Sequence, residues 1–565
     1  MQKFHELKYV RPDQEAVEKA FDGFIDEINN ATSGEELCAI CERMDEYSRE
    51  FGTMYTIASI RNTMDMRDQF YEDEMMYLAE AGAKLQLYDK KVNTALLASP
   101  YLYAVKQRFG DLYVTNKQMQ IELMNDDVVP LLVREDNLGN EYSKTAALAH
   151  TDFRGEDCNF YGLLKHMNAP DRNERREAFV AWADLYQSIA HTLDKIYDEL
   201  VALRVQIAQK LGFESYIDYI YKQRGRYDYN AQDVAAFRKQ VREEIVPVCQ
   251  KLYDEQTKRL GIDKLHWYDE ALAFADGNAD PIGDKDELVA KAMEFYSALS
   301  DETGEFFAFM VNNELFDLET RPGKHMGGYC TFLPLYRAPF IFSNFNGTSA
   351  DVDVLTHEAG HAFQAYTASR TLPLDEMVWS TNEVNEIHSM SMEHFAYPYA
   401  EEFFGEAANK YRYNHLKDAL CSIPYLVSVD EFQHRVFERP QMTAAERRQV
   451  WREIEQTYMP WRDYDGNEFL SSGGFWMQKQ HIFLYPFYYV DYALAQICAF
   501  QFLAKDRKDH AQAWKDYLVL CRLGGSKGYF DTLRQGKLLN PFASDTVAKV
   551  MVDVNAALAE FAAKI

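Results

Sequence analysis

The chain is 565 residues long, enough for about four domains at the usual ~100–200 residues each. Aliphatic, aromatic and cysteine residues make up 47%, which supplies a large core and excludes intrinsic disorder. The net charge of −29 would repel phosphates, so nucleic acid and anionic membranes are disfavoured as partners.

The opening Met-Gln-Lys-Phe-His-Glu-Leu-Lys has no apolar run of the kind that directs secretion, and a cytoplasmic protein is expected. Apolar residues at i, i+3, i+4 and i+7 predict helices over 13–30, 33–51, 53–87, 172–211 and 231–260. Cys38 and Cys41 form one CxxC inside such a helix, and with no second pair they read as core residues rather than a zinc site. The stretch 134–162, richer in Gly, Asn, Asp and Thr, is read as a break in the helical pattern. It motivates a boundary near residue 175, between an N-terminal helical lobe (1–175) and a second domain (176–565).

Asp276, Asn278, Asp280, Asp284 and Glu287 mimic a calcium loop, but Pro281 stands where the sharp turn needs glycine, so an inter-helix loop is expected. Between Gly327 and Gly347 the periodicity changes, and the β-prone runs Tyr329–Leu333 and Phe340–Phe345 predict a small sheet in an otherwise α protein. Residues 482–504 are apolar, but Asp491, Gln496 and Gln501 argue for an internal helix rather than a membrane span.

The segment that carries chemistry is Val354-Leu-Thr-His357-Glu358-Ala-Gly-His361, an HExxH pattern not expected by chance from 14 His. At i and i+4 on a helix both imidazoles project from one face and can bind one Zn²⁺. Glu358, one residue round, can take a proton from the metal-activated water. Its small and apolar flanks Ala359, Gly360, Ala362 and Phe363 suit a buried helix. A catalytic zinc needs a third protein ligand. By residue type Glu383, Glu386, His388 and Glu393, all just downstream, are candidates, and spacing alone does not choose among them.

These motifs resemble the thimet oligopeptidase and oligoendopeptidase F family of zinc metallopeptidases, which are gluzincins. That family shows HExxH followed by E-x-x-S-x-x-x-E, matched here by Glu386-Ile-His-Ser389-Met-Ser-Met-Glu393, with Glu386 29 residues after His357. The resemblance implies one Zn²⁺ held by His357, His361 and Glu386, with Glu393 supporting a ligand histidine. Ala338–Gly347 is similar to the family's substrate-aligning edge strand, and Leu211–Tyr219 to its LGFxSYxDY. His481, Tyr488 and Tyr492 match the His and Tyr that orient the carbonyl and stabilise the oxyanion, with Tyr485 and Tyr489 as alternative donors. The implied fold is mainly α: a zincin-type core with a small sheet, and two helical lobes around a deep substrate channel. The implied activity is endopeptidase cleavage of short peptides. The rival readings are a zinc carboxypeptidase of similar build and a non-catalytic peptide-binding protein. Glu358 argues against the latter, since binding alone needs no general base.

Overall fold

The computed structural model describes the backbone of all 565 residues and every side chain except that of Ala83. The chain is mostly helical, and its polar caps set where helices start. Ser33 accepts from Glu36 N and opens α1 (Gly34–Met64), which runs on through Gly52 rather than stopping near residue 51. The helix expected over 53–87 is instead divided. Asp65 accepts from Arg67 N and Asp68 from Phe70 N, and these local bonds stop α1 and start Gln69–Ala98.

Two further expectations change. All of 134–148 is helical, within Val129–Leu148, because Leu138, Gly139 and Tyr142 are buried by tertiary packing that overrides weak helix formers. Only the hairpin Thr151–Phe153 with Glu156–Cys158 breaks the pattern. Two of the calcium-like carboxylates, Asp284 and Glu287, are spent on the backbone. Asp284 accepts from Asp286 N and Glu287 N while Glu287 accepts from Asp284 N, a capping box that opens Lys285–Leu299. Cys38 and Cys41 are buried in α1. Among the described residues no helix is long and apolar enough to cross a membrane.

Packing divides the chain into two compact units of three segments each, rather than at one cut near residue 175, which lies inside the helix Arg172–Lys210. The first unit comprises 1–122, 279–411 and 498–539. Its sheet has the order β1 (Phe316–Glu319), β3 (Ala338–Phe345), β2 (Tyr329–Leu333). β3 runs parallel to β1 and antiparallel to β2, with Phe316 and Cys330 both opposite Ile341. The segment Ala338–Gly347, expected to supply an edge, instead holds the buried middle strand β3, with its ladder groups engaged on both sides; β2 is an edge.

From β3 the chain turns through Gly347, whose φ of +86° suits glycine, into α2 (Ser349–Thr371). Asp351 pins that turn by accepting from Asn346 N (2.9 Å) and Gly347 N (2.7 Å). α2 packs against β3, against α3 (Asn382–Phe395) and against α4 (His510–Leu523).

The second unit comprises 123–278, 412–497 and 540–565. Its core is aromatic: Trp476 packs on Tyr197 and stacks with Phe483.

Candidate metal centre

Helical spacing on α2 brings His357 and His361 together with ring centroids 5.0 Å apart and planes nearly perpendicular. Glu386, on α3, places its Oε2 3.3 Å from His357 Nε2 and 3.4 Å from His361 Nε2. Gly360 permits this approach. A Cβ there would lie 2.6 Å from Ser389 Cα and 2.8 Å from His388 O, so a side chain would force α2 and α3 apart.

The surroundings orient these donors. Glu393 Oε1 lies 2.6 Å from His357 Nδ1, which fixes the tautomer that leaves the Nε2 lone pair facing Glu386. Ser389 donates its hydroxyl to Glu386 Oε2 at 3.0 Å, a contact that gives physical content to the Ser of the motif. Burial works to raise the Glu386 carboxyl, but His361 and His357 outweigh it and hold it well below the usual carboxylate range. Burial likewise pulls the His357 imidazole down, yet its hydrogen bonds to the Glu386 and Glu393 carboxylates leave it well above its ordinary value.

Two imidazole nitrogens and one carboxylate oxygen within 4.8 Å of one another fit a tetrahedral zinc with a fourth place open. Of the other candidates on α3, Glu383 and His388 do not join this cluster among the described residues. Both are buried, and His388 is pushed down to about 3, chiefly by desolvation.

Glu358 is buried beside the histidines, its pKa raised first by desolvation against the lowering effect of His357 and His361. It lies next to the start of β2. A Cβ on Gly328 would sit 3.6 Å from Glu358 Oε1, 3.2 Å from Val354 Cγ1 and 3.3 Å from Phe342 O. Gly328 thus leaves room between the carboxylate and the edge strand. Cys330, the next residue but one, has its thiol raised well above its ordinary value by burial and then by the Glu358 charge. Neither residue carries a sequence signal, since it is the pairing of β2 with β3 that brings this segment to the site.

His481, Tyr488 and Tyr492 lie in the second unit. The His481 ring is 5.9 Å from Tyr488 and nearly parallel to it, 5.8 Å from Tyr485 and 4.6 Å from Tyr489, while Tyr488 and Tyr492 meet edge to face at 5.0 Å. Burial, then Lys479 and Arg224, push His481 down to about 3, so its imidazole is neutral. Tyr485 does not share a helix face with the others. The helix Gln480–Leu484 ends, the chain bends, and the next helix begins at Tyr489, leaving Tyr485 exposed.

A device not foreseen in the sequence holds that bend. Phe487 is buried with φ +61°, a left-handed conformation costly for a bulky residue. Arg224 donates twice to Pro486 O (3.2 and 2.9 Å), Arg226 donates to Phe487 O (2.5 Å), and Phe487 N donates to Gln433 (2.9 Å). Arg226 also pairs with buried Asp491 at 2.6 Å. Only the Arg224-Gly-Arg226 triplet marks this clamp in the sequence.

The Peptidase M3 N-terminal domain matches residues 4–124, and Peptidase family M3 matches 165–276 and 283–552. The chain belongs to peptidase family M3. M3 kinship extends to oligoendopeptidase F, as the motifs implied. The oligoendopeptidase F homologue of Lactococcus lactis subsp. lactis (strain IL1403) is 21% identical over 405 residues; the alignment spans 62% of this chain and 62% of that relative's length. The solved structure of PZ peptidase A with an inhibitor is 43% identical, with 99% of each chain covered and a TM-score of 0.93. A Bacillus anthracis str. Ames protein assigned as oligoendopeptidase F is 40% identical, covering 99% of this chain and 98% of that one, with a TM-score of 0.89. Oligoendopeptidase F from Enterococcus faecium, at 14% identity and a TM-score of 0.64 over 98% and 99% of the chains, shares the fold. The mainly α architecture of the M3 fold is therefore this chain's own.

Proposed function

We propose that this M3 family member is a zinc-dependent endopeptidase that hydrolyses internal bonds of short peptides, with one catalytic Zn²⁺ per chain. The observation that carries the reading is the convergence of His357, His361 and Glu386 on one point with buried Glu358 beside them. His357 Nε2, His361 Nε2 and Glu386 Oε2 would hold the ion. When bound, zinc supplies Lewis-acid polarisation of a carbonyl and lowers the pKa of water to near neutrality.

The chain's own residues do the rest. Glu393 keeps His357 oriented, and Ser389 keeps Glu386 oriented. Glu358, desolvated and therefore more basic than a free carboxylate, accepts the proton of the attacking water on a carboxylate oxygen and passes it to the leaving amine. The edge strand β2, entered through Gly327 and Gly328, offers backbone groups with which an extended peptide would pair, which selects conformation rather than side chains. His481, Tyr488 and Tyr492 are assigned, on the family motif, to orient the carbonyl and donate to the oxyanion. One such donor contributes ~2.7–4 kcal/mol to barrier lowering.

The decisive test is hydrolysis of a quenched peptide blocked at both termini. Internal cleavage that disappears with a chelator, returns with Zn²⁺ and is absent in Glu358→Gln supports the proposal. Failure on blocked peptides with turnover of free C-termini would transfer the assignment to a carboxypeptidase. Turnover surviving Glu358→Gln would remove Glu358 from its role.

A further inference from the structure

A second convergence of metal-ligating atoms lies in the other compact unit, on the hairpin Thr151–Phe153 with Glu156–Cys158 and the short helix that follows it. The hairpin turns through Arg154 (φ +55°) and Gly155 (φ +84°), a two-residue turn with both central residues left-handed. Side chains alternate along a strand, so Glu156 and Cys158, two apart, point to the same face. Asn159 then caps Phe160–Met167 by accepting from Gly162 N, and that helix delivers His166 to the same place. Glu156, Cys158 and His166 each present a donor atom, all within 4.8 Å of one another.

Three details go beyond proximity. First, His166 is oriented from behind. Its Nδ1 lies 2.7 Å from Glu174 Oε1, and Glu174 Oε2 accepts from Arg154 at 2.9 Å. An arginine-paired carboxylate fixes the Nδ1–H tautomer and leaves the Nε2 lone pair facing Glu156 Oε2 at 3.5 Å. Bond lengths of ~2.0–2.1 Å to nitrogen and ~2.0–2.2 Å to oxygen put tetrahedral N and O ligands about 3.4 Å apart on zinc. Second, Cys158 is 4% exposed, so a buried sulfur contributes its donor atom to the cluster. Third, Gly162 makes room for that sulfur. A Cβ there would lie 3.2 Å from Cys158 Sγ.

We propose that Glu156, Cys158 and His166 form a second metal site, distinct from the HExxH centre, which takes Zn²⁺ or a similar thiophilic divalent cation with water as the fourth ligand. One sulfur, one imidazole and one carboxylate select zinc-like ions over Mg²⁺ and Ca²⁺, which prefer all-oxygen shells. Binding releases the Cys158 thiol proton to solvent and joins the hairpin to the helix. Glu156, 71% exposed, gives the ion its way in.

Cobalt tests this with a signal that the HExxH centre lacks, because His357, His361 and Glu386 include no sulfur. The full-length protein is stripped with chelator and titrated with Co²⁺. Two equivalents should bind, with a sulfur-to-cobalt charge-transfer band accompanying one of them. Cys158→Ser should abolish the band and leave one equivalent. Glu156→Gln, at a largely exposed position that does not endanger folding, should weaken the band-forming event by ~10-fold or more. Hydrolysis of peptides should be unchanged in both variants. Binding of a single equivalent without the band, or a band that survives Cys158→Ser, would overturn the proposal.

Discussion

Glu393 Oε1 lies 2.6 Å from His357 Nδ1, across the contact between α3 and α2. The pair sets which nitrogen of His357 is available to a metal. Outer partners of this kind are typically worth ~10–100-fold in affinity. Glu393→Gln should therefore lower Zn²⁺ affinity by ~10–100-fold, measured by competition with a chromophoric chelator, while activity at saturating Zn²⁺ falls by less. Unchanged affinity would show that the contact is merely structural.

Gly360 should tolerate no side chain. Its Cβ position is 2.6 Å from the Cα of Ser389, a backbone atom that cannot swing aside. Overpacking of this kind costs ~1–3 kcal/mol. The displaced α3 also carries Glu386, so Gly360→Ala should lower both the unfolding midpoint of the metal-free protein and its zinc affinity. A variant with parental stability and affinity would mean that α2 and α3 can separate freely.

These residues also mark how far the sequence is legible. Helical spacing nominates His357 and His361, the family register nominates Glu386, and these are the side chains whose donor atoms approach one another. Strand Tyr329–Leu333 is read to the residue, because β-prone runs between glycines are a local signal. Strand order is not local. That β3 lies between β1 and β2, leaving β2 as an edge beside Glu358, follows from pairing across the sheet. The same limit hides the clamp on Phe487, whose partners Arg224, Arg226 and Gln433 are distant in the chain. The helix Val129–Leu148 was masked by its glycine and asparagines, which burial against the rest of its unit accommodates.

Asp45 should make stability depend on pH. Burial, then the charge of Asp375, push its carboxyl up to about 6, with Arg49 bonded to both acids. An acid with a raised folded-state pKa favours folding when protonated. Its contribution is present below the ordinary value of 3.8 and is lost as pH rises through about 6. Asp45→Asn removes the buried charge and keeps an acceptor for Asp375 N. It should stabilise the protein by about 3 kcal/mol near pH 8 and by little near pH 4. Chemical denaturation of both proteins across that range checks it, and a difference independent of pH would show that Asp45 titrates normally.

His481 should leave no mark on the pH profile of the proposed peptidase. Burial, then Lys479 and Arg224, push it down to about 3, so the neutral imidazole persists throughout the range in which an ordinary histidine titrates and is lost only as pH falls through 3. A neutral ring can donate a hydrogen bond to the developing oxyanion but cannot act as a cationic acid. Loss of such a donor costs ~10²–10³-fold in kcat. His481→Gln should therefore lower kcat by one constant factor at every pH from about 5 to 8, with the shape of the profile preserved. Peptide hydrolysis followed across that interval decides the matter. An acidic limb near 6.5 that vanishes in His481→Gln would show that the imidazole titrates in the working enzyme and that its burial is relieved there.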